Sequence, residues 1–324
     1  MQTPLAEAPL RRPTDSVGGS PTRFQDYVEL TKPRITLMVV ITAAVGLLMA
    51  ARFEDDLDRR LAGSWFLLGL EVFAALLGTA LLAAGASALN MWAERATDGL
   101  MRRTAGRPLP SGRLEPEGAL ETGVSFSAAG AAALFFGVNG LTALLGVATL
   151  VLYVFVYTPL KRITPWNTHV GTIPGAIPIL MGATAWRPEI TTPSLVLFAL
   201  LLVWQLPHFF AIDWIYRDDY REGGYRMLSS SGQRGVRSGV ETVFFTVVLV
   251  AISFHPLLLS VTGWLYPGVA GVLGALFLFR SVAFALRRNA VRARRAMLAS
   301  VLYLPLVLGA LALDALVLSG WLFA

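Results

Sequence analysis

The chain has 324 residues, 55% of them hydrophobic and only 15% charged, with a formal net charge of +6. Its mean hydropathy of +0.61 is that of a polytopic membrane protein rather than of one or two soluble domains. Cysteine is absent, which excludes disulfides, zinc–thiolate sites, iron–sulfur clusters and cysteine nucleophiles, and with only three histidines, His169, His208 and His255, a multi-histidine metal site would need nearly all of them.

Residues 1–23 are polar, rich in Pro, Gly and Ser, and lack an apolar stretch; they read as a disordered cytoplasmic tail and not as a cleavable signal. Residues 24–324 read as a single membrane domain. Nine apolar runs follow, each long enough or nearly so to cross a hydrocarbon core of about 30 Å: Ile35–Ala51, Trp65–Leu89, Thr122–Val138, Leu141–Leu160, Val170–Trp186, Ser194–Ile215, Val240–Trp264, Pro267–Leu286 and Met297–Phe323. The fold class is therefore an all-α bundle of nine transmembrane helices. Lys and Arg divide 23 against 4 between alternate sides, which puts the N-terminus in the cytoplasm and the C-terminus outside. The positive charge is thus spent on orientation, and no nucleic-acid partner is expected. The long charged loops share the cytoplasmic side, so the active face is expected there.

The densest polar patch is Asn90–Gly112, directly after the second run. Asn90, Glu94 and Asp98 fall four residues apart and share one face of a helix, offering the oxygen ligands that a hard cation such as Mg²⁺ takes. Arg102, Arg103 and Arg107 follow, and Gly106, Pro108, Pro110 and Gly112 break the helix so that the chain can fold back. Acids beside arginines suit a metal-bound diphosphate. A second acid cluster, Asp218, Asp219 and Glu222, comes after the sixth run on the same side and is expected to face the first across a cavity. In the loop after the fourth run, Lys161 offers a point charge and Arg162 a fork for the same anion. The fifth run carries Gly171, Pro174, Gly175, Pro178 and Gly182, which let membrane helices kink and approach closely. His208, behind Pro207 near the inner end of the sixth run, is a candidate to ligate a haem iron, orient a substrate or act as a base. Asp314, deep in the ninth run, is expected to make interhelical hydrogen bonds and to play no part in catalysis.

These residues resemble the UbiA superfamily of intramembrane prenyltransferases. The resemblance rests on Asn90-xxx-Glu94-xxx-Asp98 with Met101-Arg102-Arg103-Thr104-xx-Arg107-Pro108-Leu109, on Leu30-Thr31-Lys32-Pro33-Arg34, and on Tyr157-Thr158-Pro159-Leu160-Lys161-Arg162. Trp204-Gln205-Leu206-Pro207-His208-Phe209 running into Asp218-Asp219-Tyr220 and Met227-Leu228 points to the haem-farnesylating branch. Against the branch pattern, Asp213 stands where a small or apolar residue is expected, and Arg226 where proline is. The resemblance implies that farnesyl diphosphate and haem B combine with water to give haem O and diphosphate. It implies Mg²⁺ held among Asn90, Glu94, Asp98, Asp218, Asp219 and Glu222, and diphosphate held by Arg102, Arg103, Arg107, Lys161 and Arg162. Asn90, Glu94, Asp98, Lys161 and Asp218 would carry catalysis and His208 would meet the haem. Its partners would be the lipid of the cytoplasmic (inner) membrane and a haem A synthase. Rival expectations keep the fold with a quinone precursor or other aromatic acceptor, or make the chain a secondary transporter, whose sites lie at the bilayer midplane rather than at one surface.

Overall fold

The computed structural model describes residues 23–53, 64–230, 235–255 and 262–315; the tail expected over 1–23 lies almost wholly outside them. Every regular element among the described residues is helical: α1 (Arg23–Leu30), α2 (Pro33–Phe53), α3 (Trp65–Asp98), α4 (Pro116–Gly137), α5 (Gly140–Val151), α6 (Thr158–Ile163), α7 (Asn167–Trp186), α8 (Thr192–Ile215), α9 (Arg217–Glu222), α10 (Val236–Ser253), α11 (Leu265–Leu286) and α12 (Ala290–Leu313). Among the described residues, eight helical segments are long and apolar enough to cross a membrane, with α5, the turn after it and α6 forming one of them.

α7, in the place of the fifth apolar run, is not among the eight. It has 20 residues but contains Pro174 and Pro178, and most of its side chains are buried. A helix largely wrapped by protein has less need of lipid-compatible side chains than of small ones. A Cβ at Gly182 would fall on the carbonyl oxygen of Ala43, and one at Gly46 on that of Ile179, so the backbones of α2 and α7 touch. Gly182→Ala is expected to destabilise the protein by about 1–3 kcal/mol through overpacking, read as a lower melting temperature in detergent. An unchanged melting temperature would show that the two helices separate freely.

Helix ends overrun the apolar runs because the hydrogen-bonded backbone does not stop where lipid does. α4 begins six residues before Thr122, with Pro116 at its first turn, and α12 begins at Ala290, where Asn289 accepts a bond from the Arg292 amide. α3, with 34 residues, is roughly 50 Å long and so extends well past a 30 Å core. The largest buried cluster lies between α2, α7, α8, α10, α11 and α12 and contains Tyr266, Phe277 and Tyr303. At its outer edge Asp314 accepts the backbone N–H of Tyr266 at 2.7 Å, the interhelical bond expected of it.

Candidate active site

The overrunning end of α3 carries Asn90, Glu94 and Asp98, and all three point inward: 2%, 6% and 1% of their surface is exposed. They share a face because the helix continues unbroken to Asp98. Beyond it the chain turns back on itself. The Thr104 hydroxyl donates to the Asp98 carbonyl at 2.8 Å, and the Arg107 guanidinium donates to Asp98 Oδ2 at 2.6 Å. Arg113 pairs with Asp26 at 2.7 Å and Glu29 at 3.0 Å, fastening α1 to this loop.

Fastening α1 places Lys32. It has φ 46°, the only positive φ of a non-glycine among the described residues, a strained conformation between the end of α1 and Pro33 at the start of α2. Its ammonium donates to Asn90 Oδ1 at 3.0 Å, while the Asn90 amide N–H donates to Thr158 Oγ1 at 3.0 Å. Burial, then the neighbouring Arg107, push the Lys32 ammonium down to about 7 against the pull of Glu94.

Between α5 and α6 the chain winds as a π-helix over Leu152–Tyr157. The Thr158 amide reaches back five residues to the Tyr153 carbonyl, its hydroxyl donates to the same oxygen at 2.9 Å, and Pro159 has no N–H with which to continue the ladder. Such widened turns occur often at functional sites. This one sets Tyr153 and Tyr157, stacked with centroids 5.7 Å apart, beside Lys161. The Lys161 ammonium sits 2.7 Å from Glu94 Oε1 and 4.7 Å from the centre of the Tyr157 ring. The Tyr225 hydroxyl also donates to Glu94 Oε1, at 3.0 Å; burial and then the Glu94 carboxylate push that phenol up to about 12.

These groups enclose a cavity of about 130 Å³, lined by Lys32, Asn90, Glu94, Asp98, Arg103, Arg107 and Lys161, by the tyrosines 153, 157, 220 and 225, and by Met101 and Met227. It is smaller than the roughly 300–1,000 Å³ of pockets that enclose a drug-sized ligand, so it has room for a small group only. Four cationic side chains face two carboxylates, and the excess of positive charge suits an anion. Among the described residues no group of three or more His, Asp or Glu side chains is placed to hold a metal ion. Two carboxylates and an amide oxygen nevertheless fit Mg²⁺, which is usually bound by one or two carboxylates together with phosphate oxygens.

Of the residues expected from sequence, Asn90, Glu94, Asp98, Arg103, Arg107 and Lys161 meet in this cavity, whereas Arg102, Arg162, Asp218, Asp219 and Glu222 do not line it. Arg102 is exposed and lies 3.9 Å from Glu222; Arg162 is exposed; Asp218 is tied to Arg221 at 2.9 Å. The reason lies in α9. It is six residues long with none buried, and it is Tyr220 that faces the cavity. Asp218 and Glu222 stand two positions from Tyr220, about 200° around the helix, and so point away. His208 also lies apart: Nδ1 shares a hydrogen with Ser300 Oγ at 2.7 Å, and the ring stacks on Trp204 at 4.9 Å. The sequence pattern gave Lys32, Tyr157 and Tyr220 only as parts of the resembling motifs, with no role assigned, and did not point to Tyr153 or Tyr225. Tyrosines at 153, 157, 220 and 225, all near runs of charge, were the available signal, and only the fold joins them.

A bundle of apolar helices closed at one end over a cationic, carboxylate-bearing cavity is the architecture of an intramembrane transferase of anionic substrates. The sequence profile of the UbiA prenyltransferase family matches residues 39–307, and the chain belongs to that family. Among its relatives is the protoheme IX farnesyltransferase of Solibacter usitatus (strain Ellin6076), 44% identical over 296 residues that cover 90% of this chain and 99% of that protein. The protoheme IX farnesyltransferase of Salinibacter ruber (strain DSM 13855 / M31) is 40% identical over 290 residues, 89% of this chain and 98% of that one. The fold is shared with a solved digeranylgeranylglyceryl phosphate synthase (TM-score 0.73, 18% identity, 90% of this chain and 98% of that one). It is shared too with a UbiA homologue from Archaeoglobus fulgidus bound to DMAPP and Mg²⁺ (TM-score 0.57, 13% identity, 89% and 99%).

Proposed function

We propose that this chain transfers the farnesyl group of farnesyl diphosphate to a vinyl group of haem B, with addition of water, giving haem O and diphosphate, the reaction class for which its 38–44% identical relatives are named. The observation that carries the reading is the pairing, inside one buried cavity, of Glu94 with Lys161 at 2.7 Å and of Asp98 with Arg107 at 2.6 Å. Each acid has a cation of the protein as partner, so both acids and both cations are on hand for a metal diphosphate. Mg²⁺, held by Glu94, Asp98 and Asn90 together with phosphate oxygens, would supply the charge that makes diphosphate a leaving group. Lys161 and Arg107, once the carboxylates have another cation, turn to phosphate oxygens, and Lys32 and Arg103 complete the clamp. The allylic C–O bond breaks as diphosphate takes its electron pair. The farnesyl carbon then bonds to the vinyl carbon, and water adds to the cation left on the porphyrin side with loss of a proton. The stacked faces of Tyr153 and Tyr157 suit a developing cation, and the surrounding bundle keeps water from the farnesyl group until it reacts.

In the same proposal Asp218, Asp219 and Glu222 stand at the rim. For Asp218 or Glu222 to join the metal, α9 must turn by about half a revolution and break the pairing with Arg221. His208 would meet the haem through Nε2, since Nδ1 is engaged by Ser300; His208→Ala is then expected to shift the Soret band of bound haem, and an unchanged spectrum removes it from the haem site. The chain would span the cytoplasmic (inner) membrane nine times as one domain over 24–324, α7 being the ninth span. The 23-to-4 division of Lys and Arg supports an N-terminus and active face in the cytoplasm, and the product would pass to a haem A synthase. Purified protein given farnesyl diphosphate, Mg²⁺ and haem B is expected to yield haem O by mass. If a quinone precursor is prenylated instead and haem B is not, the acceptor is wrong while the fold and the cavity stand.

A further inference from the structure

Asp213 and Arg226 belong to one device. Asp213 is 1% exposed, near the end of α8. Its Oδ2 accepts the Ser229 backbone N–H at 2.8 Å, and its Oδ1 accepts the Ser229 hydroxyl at 2.6 Å. Three residues before Ser229, the Arg226 N–H donates to the Lys161 carbonyl at 2.7 Å, a bond that proline could not make. The Arg226 carbonyl accepts the Asn167 side-chain amide at 2.8 Å, and Asn167 is fully buried. The segment 225–229 is thus held at both ends, to α8 by Asp213 and to the Lys161 loop by Arg226. Between these anchors Tyr225 reaches Glu94.

The target of that reach is specific. Tyr225 and Lys161 both donate to Oε1 of Glu94, which fixes the carboxylate plane and leaves Oε2 turned to other company. A hydrogen-bond partner that orients a carboxylate in this way commonly changes metal affinity by 10- to 100-fold. We propose that Asp213 is a positioning residue for the reaction: it clasps Ser229, holds the 225–229 segment against the Lys161 loop, and through the Tyr225 hydroxyl orients Glu94 for its cation. This rests on the assignment of Glu94 to a metal–diphosphate site; it does not depend on which acceptor is prenylated.

The test uses the full chain in detergent and two readouts. The first is amide hydrogen exchange of residues 225–229, which needs neither substrate nor metal. The second is the affinity for Mn²⁺ in the presence of diphosphate, measured by the EPR signal of the free ion. Asp213→Ala is expected to raise exchange at Ser229 and Arg226 and to weaken Mn²⁺ binding about 10-fold. Tyr225→Phe, which leaves the clasp intact, is expected to weaken Mn²⁺ similarly with exchange unchanged. Combined, the two substitutions should weaken Mn²⁺ no more than either alone, because they lie on one line of action. Asp213→Asn, which keeps an oxygen for the Ser229 N–H, should restore most of both readouts. Should Asp213→Ala not fold, Ser229→Ala, which removes only the hydroxyl, carries the same expectations at smaller size. Unchanged exchange in Asp213→Ala, or additive losses in the double variant, would overturn the proposal. Normal Mn²⁺ behaviour in every variant with the expected exchange changes would overturn the link to Glu94. A wild-type protein that binds Mn²⁺ and diphosphate but prenylates no haem would count against the proposed acceptor alone.

Discussion

Asp98→Asn is expected to lower turnover by about a thousand-fold, with farnesyl diphosphate ionisation as the step lost. The substitution keeps the shape of the side chain and removes its charge. Asp98 is buried, pairs with Arg107 of the following loop at 2.6 Å, and also holds that loop through its backbone carbonyl, which accepts from Thr104; the carbonyl bond is kept in the variant, and the amide oxygen of Asn can still accept from Arg107. The loop should therefore keep its place in the variant. What goes is one of the two carboxylates proposed for Mg²⁺, and an electrostatic group aimed at a leaving anion is typically worth 10²–10³ in rate; a proposed metal ligand that also neutralises a buried guanidinium belongs at the upper end of that range. Single-turnover measurement of diphosphate release separates this from a binding defect. Turnover within ten-fold of wild type, in protein of normal melting temperature, would remove Asp98 from the metal site.

Lys161→Met is expected to cost about a hundred-fold in turnover and, separately, several kcal/mol of stability. The second loss follows from burial: the Lys161 side chain is 14% exposed and that of its partner Glu94 only 7%, and removing one member of a buried pair leaves the other uncompensated, at about 3–5 kcal/mol. The two effects come apart in Lys161→Met/Glu94→Gln, where no charge is orphaned. Melting temperature should recover in the double variant, whereas turnover should fall further, since both the proposed phosphate clamp and a proposed metal ligand are then gone. Recovery of turnover along with stability would show that Lys161 serves only to neutralise Glu94. Lys161→Arg is not expected to rescue fully. The space over the Tyr157 ring, 4.7 Å from the ammonium, fits a compact point charge, and a planar fork has different donor directions.

Both expectations concern residues read from the sequence, Asp98 from its four-residue spacing and Lys161 as a charge in the loop after the fourth apolar run, which marks how far the chain can be read without its fold. Hydropathy determined the bundle, because the hydrocarbon core imposes a length and a composition on each span. It counted α7 as the fifth run although that helix is largely shielded by its neighbours and is not among the eight membrane-length apolar helices, and it missed the polar turns by which α3, α4 and α12 overrun their apolar runs. Four-residue spacing placed Asn90, Glu94 and Asp98 on one face of α3 because periodicity is local. The same arithmetic, applied to Asp218 and Glu222, correctly joined them on one face of α9, but which way that face points is set by Tyr220 packing into the cavity and by the break at Tyr216. Spacing within a helix is a property of the sequence; the rotation of the helix against its neighbours is a property of packing.

What the sequence determined by itself, then, is the class of protein, the end of the bundle that carries charge, and the acid row on α3, since each follows from composition or from contacts between residues a few positions apart. Only the tertiary structure decided the cavity. Lys32 meets Asn90 across 58 positions, Lys161 meets Glu94 across 67, and Tyr225 meets Glu94 across 131. No local rule predicts such meetings, because they depend on a left-handed residue before Pro33, a π-turn before Pro159 and a clasp at Asp213, each of which acts by aiming a distant side chain.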